Sequence, residues 1–85
     1  MDARRKQLLY RANHRGIKEM DILLGGFAAA NLADLSDADV DAFEAISTHL
    51  DRDLLSWFTG EIETPADVAG EMFDRILAFQ VENAK

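Results

Sequence analysis

The run Ser36-Asp37-Ala38-Asp39 constrains the fold more than any other stretch, because it is built to begin a helix. Ser36 offers a side-chain oxygen to the first free backbone N–H groups, and the two aspartates place negative charge at the positive end of the helix dipole. Val40, Phe43, Ile46 and Leu50 follow at three- and four-residue steps, the spacing of one buried helical face. Asp37, Asp41 and Glu44 fall on the water side. Elsewhere the apolar residues keep helical spacing, and no run alternates as a half-buried strand would.

Four further segments carry the same signal. Residues 3–13 are rich in good helix formers, with Leu8, Leu9 and Ala12 apolar among Arg4, Arg5, Lys6 and Arg11. Asn13-His14-Arg15-Gly16 breaks that pattern, with Gly16 expected as a left-handed cap. From Ile17 to Leu32 the stripe is Met20, Leu23, Leu24, Phe27, Ala28 and Leu32, with Ile17 and Ile22 off it. Gly25-Gly26 in its middle implies either a close neighbouring helix or a kink, since glycine costs a helix interior about 1 kcal/mol relative to alanine. Asp51 or Asp53 is expected to cap a short fourth helix holding Leu54, Leu55, Trp57 and Phe58 and closed by Gly60. Thr64 as cap and Pro65 at the first position are expected to start the last helix, which buries Val68, Met72, Phe73, Ile76 and Leu77. The expectation is all-α: a compact five-helix bundle forming a single domain over residues 1–85.

Composition narrows the chemistry. A domain of 85 residues has a stability on the order of 4–13 kcal/mol and no room for a large enclosed active site. Without cysteine there is no disulfide, thiolate metal site or cysteine nucleophile. No apolar run approaches the roughly 20 residues of a membrane span. Arg4, Arg5 and Lys6 are followed by no signal-peptide core or cleavage site, so the expected location is the cytoplasm. Residues 1–20 carry a balance of +4 and residues 21–85 a balance of −11, within a net charge of −7. So acidic a body repels phosphate and argues against nucleic-acid binding. The basic N-terminal segment is either a solvated helix face or a surface for an acidic partner.

Catalytic material is sparse. The histidines, His14 and His49, stand in separate segments. His14 with Glu19 and Asp21 lacks any defined metal-ligand spacing, so no metal site is expected and His14 reads as a surface or interface side chain. Ser36, Ser47 and Ser56 have no nucleophile-elbow context, and the glycines form no phosphate-binding loop, so the chain offers no cradle for a dinucleotide pyrophosphate. Trp57 and Phe58 read as core.

One constellation stands apart. In Arg15-Gly16-Ile17-Lys18-Glu19 a glycine is bracketed by a planar fork of donors and by a carboxylate about one turn further on, a corner that can fasten itself or another molecule. Continued as Met20-Asp21-Ile22-Leu23-Leu24-Gly25, and joined to Leu50-Asp51-Arg52-Asp53-Leu54-Leu55-Ser56-Trp57-Phe58-Thr59-Gly60, this pattern resembles the succinate dehydrogenase assembly factor 2 family over roughly Arg4 to Leu77. The resemblance implies a helical bundle that is not an enzyme. Its expected role is to promote covalent attachment of FAD to a histidine of the flavoprotein subunit of succinate dehydrogenase or fumarate reductase, without binding a cofactor of its own. It also implies that Arg15, Gly16 and Glu19, with Asp21 and His14 beside them, form the partner-binding site. A monomer is expected, because one bundle uses the visible apolar stripes. The competing reading is a small regulatory protein of antitoxin type, unconnected with flavin.

Overall fold

The computed structural model describes residues 2–83, and of the charges counted above Lys85 lies outside it. Five helices follow one another: α1, Ala3–Ala12; α2, residues 18–31; α3, Asp37–Ser47; α4, Asp51–Phe58; and α5, Glu71–Asn83. No strand occurs among the described residues. Each helical segment sends at least one side chain into a common core, where Met20, Leu24, Leu32, Val40, Phe43, Leu54 and Ile76 are fully buried. Aromatic rings tie the helices together: Phe27 stacks on Phe43 at 5.8 Å and meets Phe79 edge-on, while Phe58 lies flat on Phe73 at 4.3 Å. Trp57 is only half-buried, its ring edge-on to His49.

The cap of α3 is as expected, with Ser36 Oγ accepting the Asp39 N–H at 3.1 Å. Leu50, however, does not extend its buried stripe and is 61% exposed. The hydroxyls of Ser47 and Thr48 turn back onto the Phe43 and Ala45 carbonyls at 2.8 and 2.7 Å, and the helix stops there. Leu50 instead becomes the residue before α4.

Helix α2 is composite. One α-helical turn, Lys18–Met20, leads into a π-helical turn, Asp21–Gly25, and then into the α-helix Gly26–Asn31; a 3-10 turn, Leu32–Asp34, follows. The wider π-turn buries Leu23 and Leu24 together and leaves Ile22 63% exposed. Gly25 answers to a close approach: a Cβ there would run into the Asn13 side chain, 2.9 Å from its Cγ, and lie 3.1 Å from the Ala12 carbonyl oxygen. Gly26 is freer, its would-be Cβ in ordinary contact with Phe79.

Three expectations about helix ends are corrected. Gly16 is not a left-handed cap; among the described residues only Gly60, with φ of 79°, has a positive φ. Helix α1 ends where its pattern breaks, capped by Asn13, whose Nδ2 donates to the Leu9 carbonyl at 2.9 Å and whose N–H turns to Leu9 and Tyr10. Asp51 does not cap α4; its carboxylate is directed back at residues 15–17. The last helix does not begin at Thr64-Pro65. The Pro65 carbonyl accepts the Val68 and Ala69 N–H groups in a lone turn, and α5 opens only after Gly70, whose carbonyl accepts from Asp74. That lone turn still buries Val68.

Two of the four basic residues of α1, Arg4 and Arg5, pair within the molecule. Arg4 reaches Asp41 at 2.6 Å and Glu44 at 2.7 Å on α3. Arg5 donates to the Ala33 carbonyl and to Asp37 at 3.0 and 3.1 Å. On the other flank of α3, Asp39 pairs with Arg75 of α5 at 3.1 Å. No helix of the described structure is long and apolar enough to cross a membrane.

Candidate functional site

Residues 13–17 run from α1 to α2 and are held by two carboxylates from elsewhere. Asp21, in the π-turn, accepts the Arg15 backbone N–H at 2.6 Å, which closes the loop onto the helix that follows it. Asp51, at the start of α4, bridges three groups at once. One of its oxygens takes the Arg15 Nε–H; the other takes the Gly16 N–H at 2.7 Å and the Ile17 N–H at 3.2 Å.

The remaining Arg15 donors complete the arrangement. Nη1 donates to the Ser47 carbonyl and Nη2 to the His49 carbonyl, each at 2.9 Å. These carbonyls sit where α3 ends, so the guanidinium lies at the negative pole of one helix while Asp51 sits at the positive pole of the next. Both side chains are largely withdrawn from water, at 12% exposed for Arg15 and 15% for Asp51. Burial pushes the Asp51 carboxyl up, but the Arg15 hydrogen bond, the Gly16 N–H, the Arg15 charge and the Ile17 N–H outweigh it. The carboxyl is held below its ordinary value and stays ionised. The corner is a rigid, internally satisfied knot.

Of the residues singled out from the sequence, Arg15, Gly16 and Asp21 meet in this knot, whereas Glu19 and His14 do not enter it. Arg15 faces inward, each of its three guanidinium nitrogens donating a hydrogen bond within the protein. Asp21 braces the backbone. Gly16 is exposed, and a Cβ there would meet only Asp51 Oδ2, at an ordinary contact distance of 3.5 Å. Its φ is also unremarkable for an L-residue, so nothing within the free fold requires glycine. Glu19 is exposed on the first turn of α2, with no hydrogen-bond or ion-pair partner among the described residues. His14 is exposed outside the knot, its Nδ1–H donating to the Tyr10 carbonyl at 2.7 Å and its ring stacked on exposed Tyr10 at 4.0 Å.

Asp51 is the site residue that the sequence reading misplaced. Its spacing fits a helix cap, and the only signal for its true use is that the segment carrying it accompanies the Arg15 corner in the resemblance. The Ser47 and His49 contributions are backbone carbonyls, which no side-chain pattern can reveal.

Chemically, the corner can accept donors at Glu19 and let another backbone come close at Gly16. His14 is committed to the backbone and His49 packs its ring against Trp57, so neither joins Glu19 in an acid–base pair. A small helical bundle with a polar corner and an unpartnered exposed carboxylate offers a surface for binding another molecule. Comparison with known sequences goes further. The family model described as "Flavinator of succinate dehydrogenase" matches residues 6–80, and the chain belongs to that family of assembly factors. It is 39% identical over 75 residues to the FAD assembly factor SdhE of Acetobacter pasteurianus, covering 88% of this chain and 69% of that protein. The mitochondrial succinate dehydrogenase assembly factor 2 of Caenorhabditis elegans is 34% identical over 82 residues, 93% of this chain and 69% of the relative. The Candida glabrata protein of the same name is 38% identical over 64 residues, 75% of this chain but 42% of its own length. No solved structure gives a significant match.

Proposed function

We propose that this chain binds the flavoprotein subunit of succinate dehydrogenase, and of fumarate reductase where that enzyme is present, and promotes covalent attachment of FAD to it. Family membership supports the reaction, and the corner supports the mode of action. The observation that carries the reading is the contrast within five residues. All three guanidinium nitrogens of Arg15 donate inside the protein, whereas Gly16 is exposed at a position where the free fold does not require glycine and Glu19 is exposed without a partner among the described residues.

On this reading Arg15, Asp21 and Asp51 act as positioning residues. They fix the loop so that Gly16 lets the flavoprotein backbone approach closely and Glu19 meets a donor or cation there. His14, stacked on Tyr10, lies at the edge of the same contact. FAD stays with the flavoprotein, and the bond to the flavin forms there. The helper contributes by holding the flavoprotein's groups in reacting geometry, an effect that can contribute several kcal/mol to a barrier. It works as a monomer in the cytoplasm.

The test is in-gel flavin fluorescence of the denatured flavoprotein, with this protein present, absent, or changed at Glu19→Ala. Fluorescence that needs the intact protein and falls with the variant is the expected result. Equal fluorescence in all three lanes would refute the proposal.

A further inference from the structure

Beside the corner a groove of about 310 Å³ opens among α2, α4 and α5, lined by Glu19, Ile22, Leu23, Leu55, Phe58, Thr59 and Gln80. Two features mark it. First, Glu19 is its only charged residue and has no partner among the described residues. Second, Ile22 stands in it 63% exposed, although its chain neighbour Leu23 is buried. That exposure follows from the π-turn, which changes the angular spacing of side chains just after the corner; such turns often mark functional positions. A second groove, of about 340 Å³, lies between α3 and the start of α5, but it carries Asp39, Asp67 and Glu71, and Asp39 is already paired with Arg75. It is acidic where the first is apolar with a single free charge.

We infer that the groove beside Glu19 seats a segment of the flavoprotein subunit in which an apolar side chain lies next to a lysine or arginine. The apolar group packs against Ile22, Leu55 and Phe58, and the cation meets Glu19. This rests on the binding role proposed for the corner and extends that contact along α2, with Glu19 belonging to both. Charge complementarity selects the occupant. An acidic segment would be repelled by the one free carboxylate, and a purely apolar segment would leave that carboxylate desolvated and unpaired.

The experiment measures affinity of the full chain for the purified FAD-free flavoprotein subunit by calorimetry, at low and high salt. The variants are Ile22→Ser, Gln80→Lys, Glu19→Gln and, in the acidic groove, Ala69→Trp. Ile22 and Ala69 are exposed and Gln80 is only partly buried, so circular dichroism should show each variant folded. Ile22→Ser should weaken binding about tenfold at either salt concentration. Gln80→Lys should weaken it several-fold, roughly, and less at high salt, because its new charge repels the occupant's cation. Ala69→Trp should leave it within about twofold of wild type. Wild-type affinity in both Ile22→Ser and Gln80→Lys, with binding lost in Glu19→Gln, would overturn the groove and leave the corner standing. Tighter binding by Gln80→Lys would overturn the cationic occupant. A wild-type chain that does not bind the flavoprotein would bring down the function proposed above, and the groove with it.

Discussion

Two of the ionic links that hold this protein together, one at the corner and one between α1 and α3, are built differently. At the corner, Arg15 and Asp51 are mostly buried, and between them they also bind two carbonyls and two backbone N–H groups. Along the seam between α1 and α3, Arg4 is paired to Asp41 and Glu44, but the side chains are 43%, 68% and 39% exposed. The seam trades contacts with water for contacts with other charges at little net gain. The corner cannot make that trade, because losing either partner strands a buried charge and several backbone groups. Charge pairing at the seam orients two helices loosely, whereas at the corner it fixes a loop in a single conformation.

The strongest way to break this comparison is Asp51→Ala. It should cost about 3 kcal/mol, since Arg15 and the Gly16 and Ile17 N–H groups lose their acceptor together. Urea denaturation would show it, and a loss below about 1 kcal/mol would place the corner in the same category as the seam.

Titration probes the same bond more gently. The Asp51 carboxyl is depressed in the folded state from its ordinary value of 3.8. Its contribution is therefore complete above that value and is lost as pH falls through the lower folded value. The urea midpoint of the wild type should drop more steeply below about pH 4 than that of Asp51→Asn, which has no such proton to gain. Parallel curves would contradict the assignment.

The smallest effect is expected at the seam. Arg4→Ala should move the thermal midpoint by less than about 2 °C, and added salt should erase the difference. A large, salt-resistant loss would show that the seam is as tightly built as the corner.

The two regions also differ in how far the sequence discloses them. Apolar spacing from Val40 to Ile46 and the Ser36 cap made α3 legible, because each depends on neighbours within a few residues. The corner was legible as an unusual bracket of charges, with Asp21 beside it, although that Asp21 holds the Arg15 N–H was not. Its closure was not, since Asp51 lies 36 residues from Arg15 and looks locally like a cap. The π-turn at Asp21–Gly25 has no local signature either; it follows from burying Leu23 and Leu24 together while Gly25 lies against α1. Thr64-Pro65 carries valid start signals, yet it yields a single turn, and helix formation waits until after Gly70. Start signals report that a turn can begin and say little about whether packing will extend it.

The most direct measurement is made on Gly16→Arg, following the thermal midpoint of the protein and the covalent flavin of its flavoprotein side by side. A Cβ at Gly16 is in ordinary contact and the position is exposed, so the account predicts a midpoint within about 3 °C of wild type, with covalent flavin largely lost. Normal folding with undiminished flavinylation would contradict the claim that this corner is the surface the flavoprotein meets.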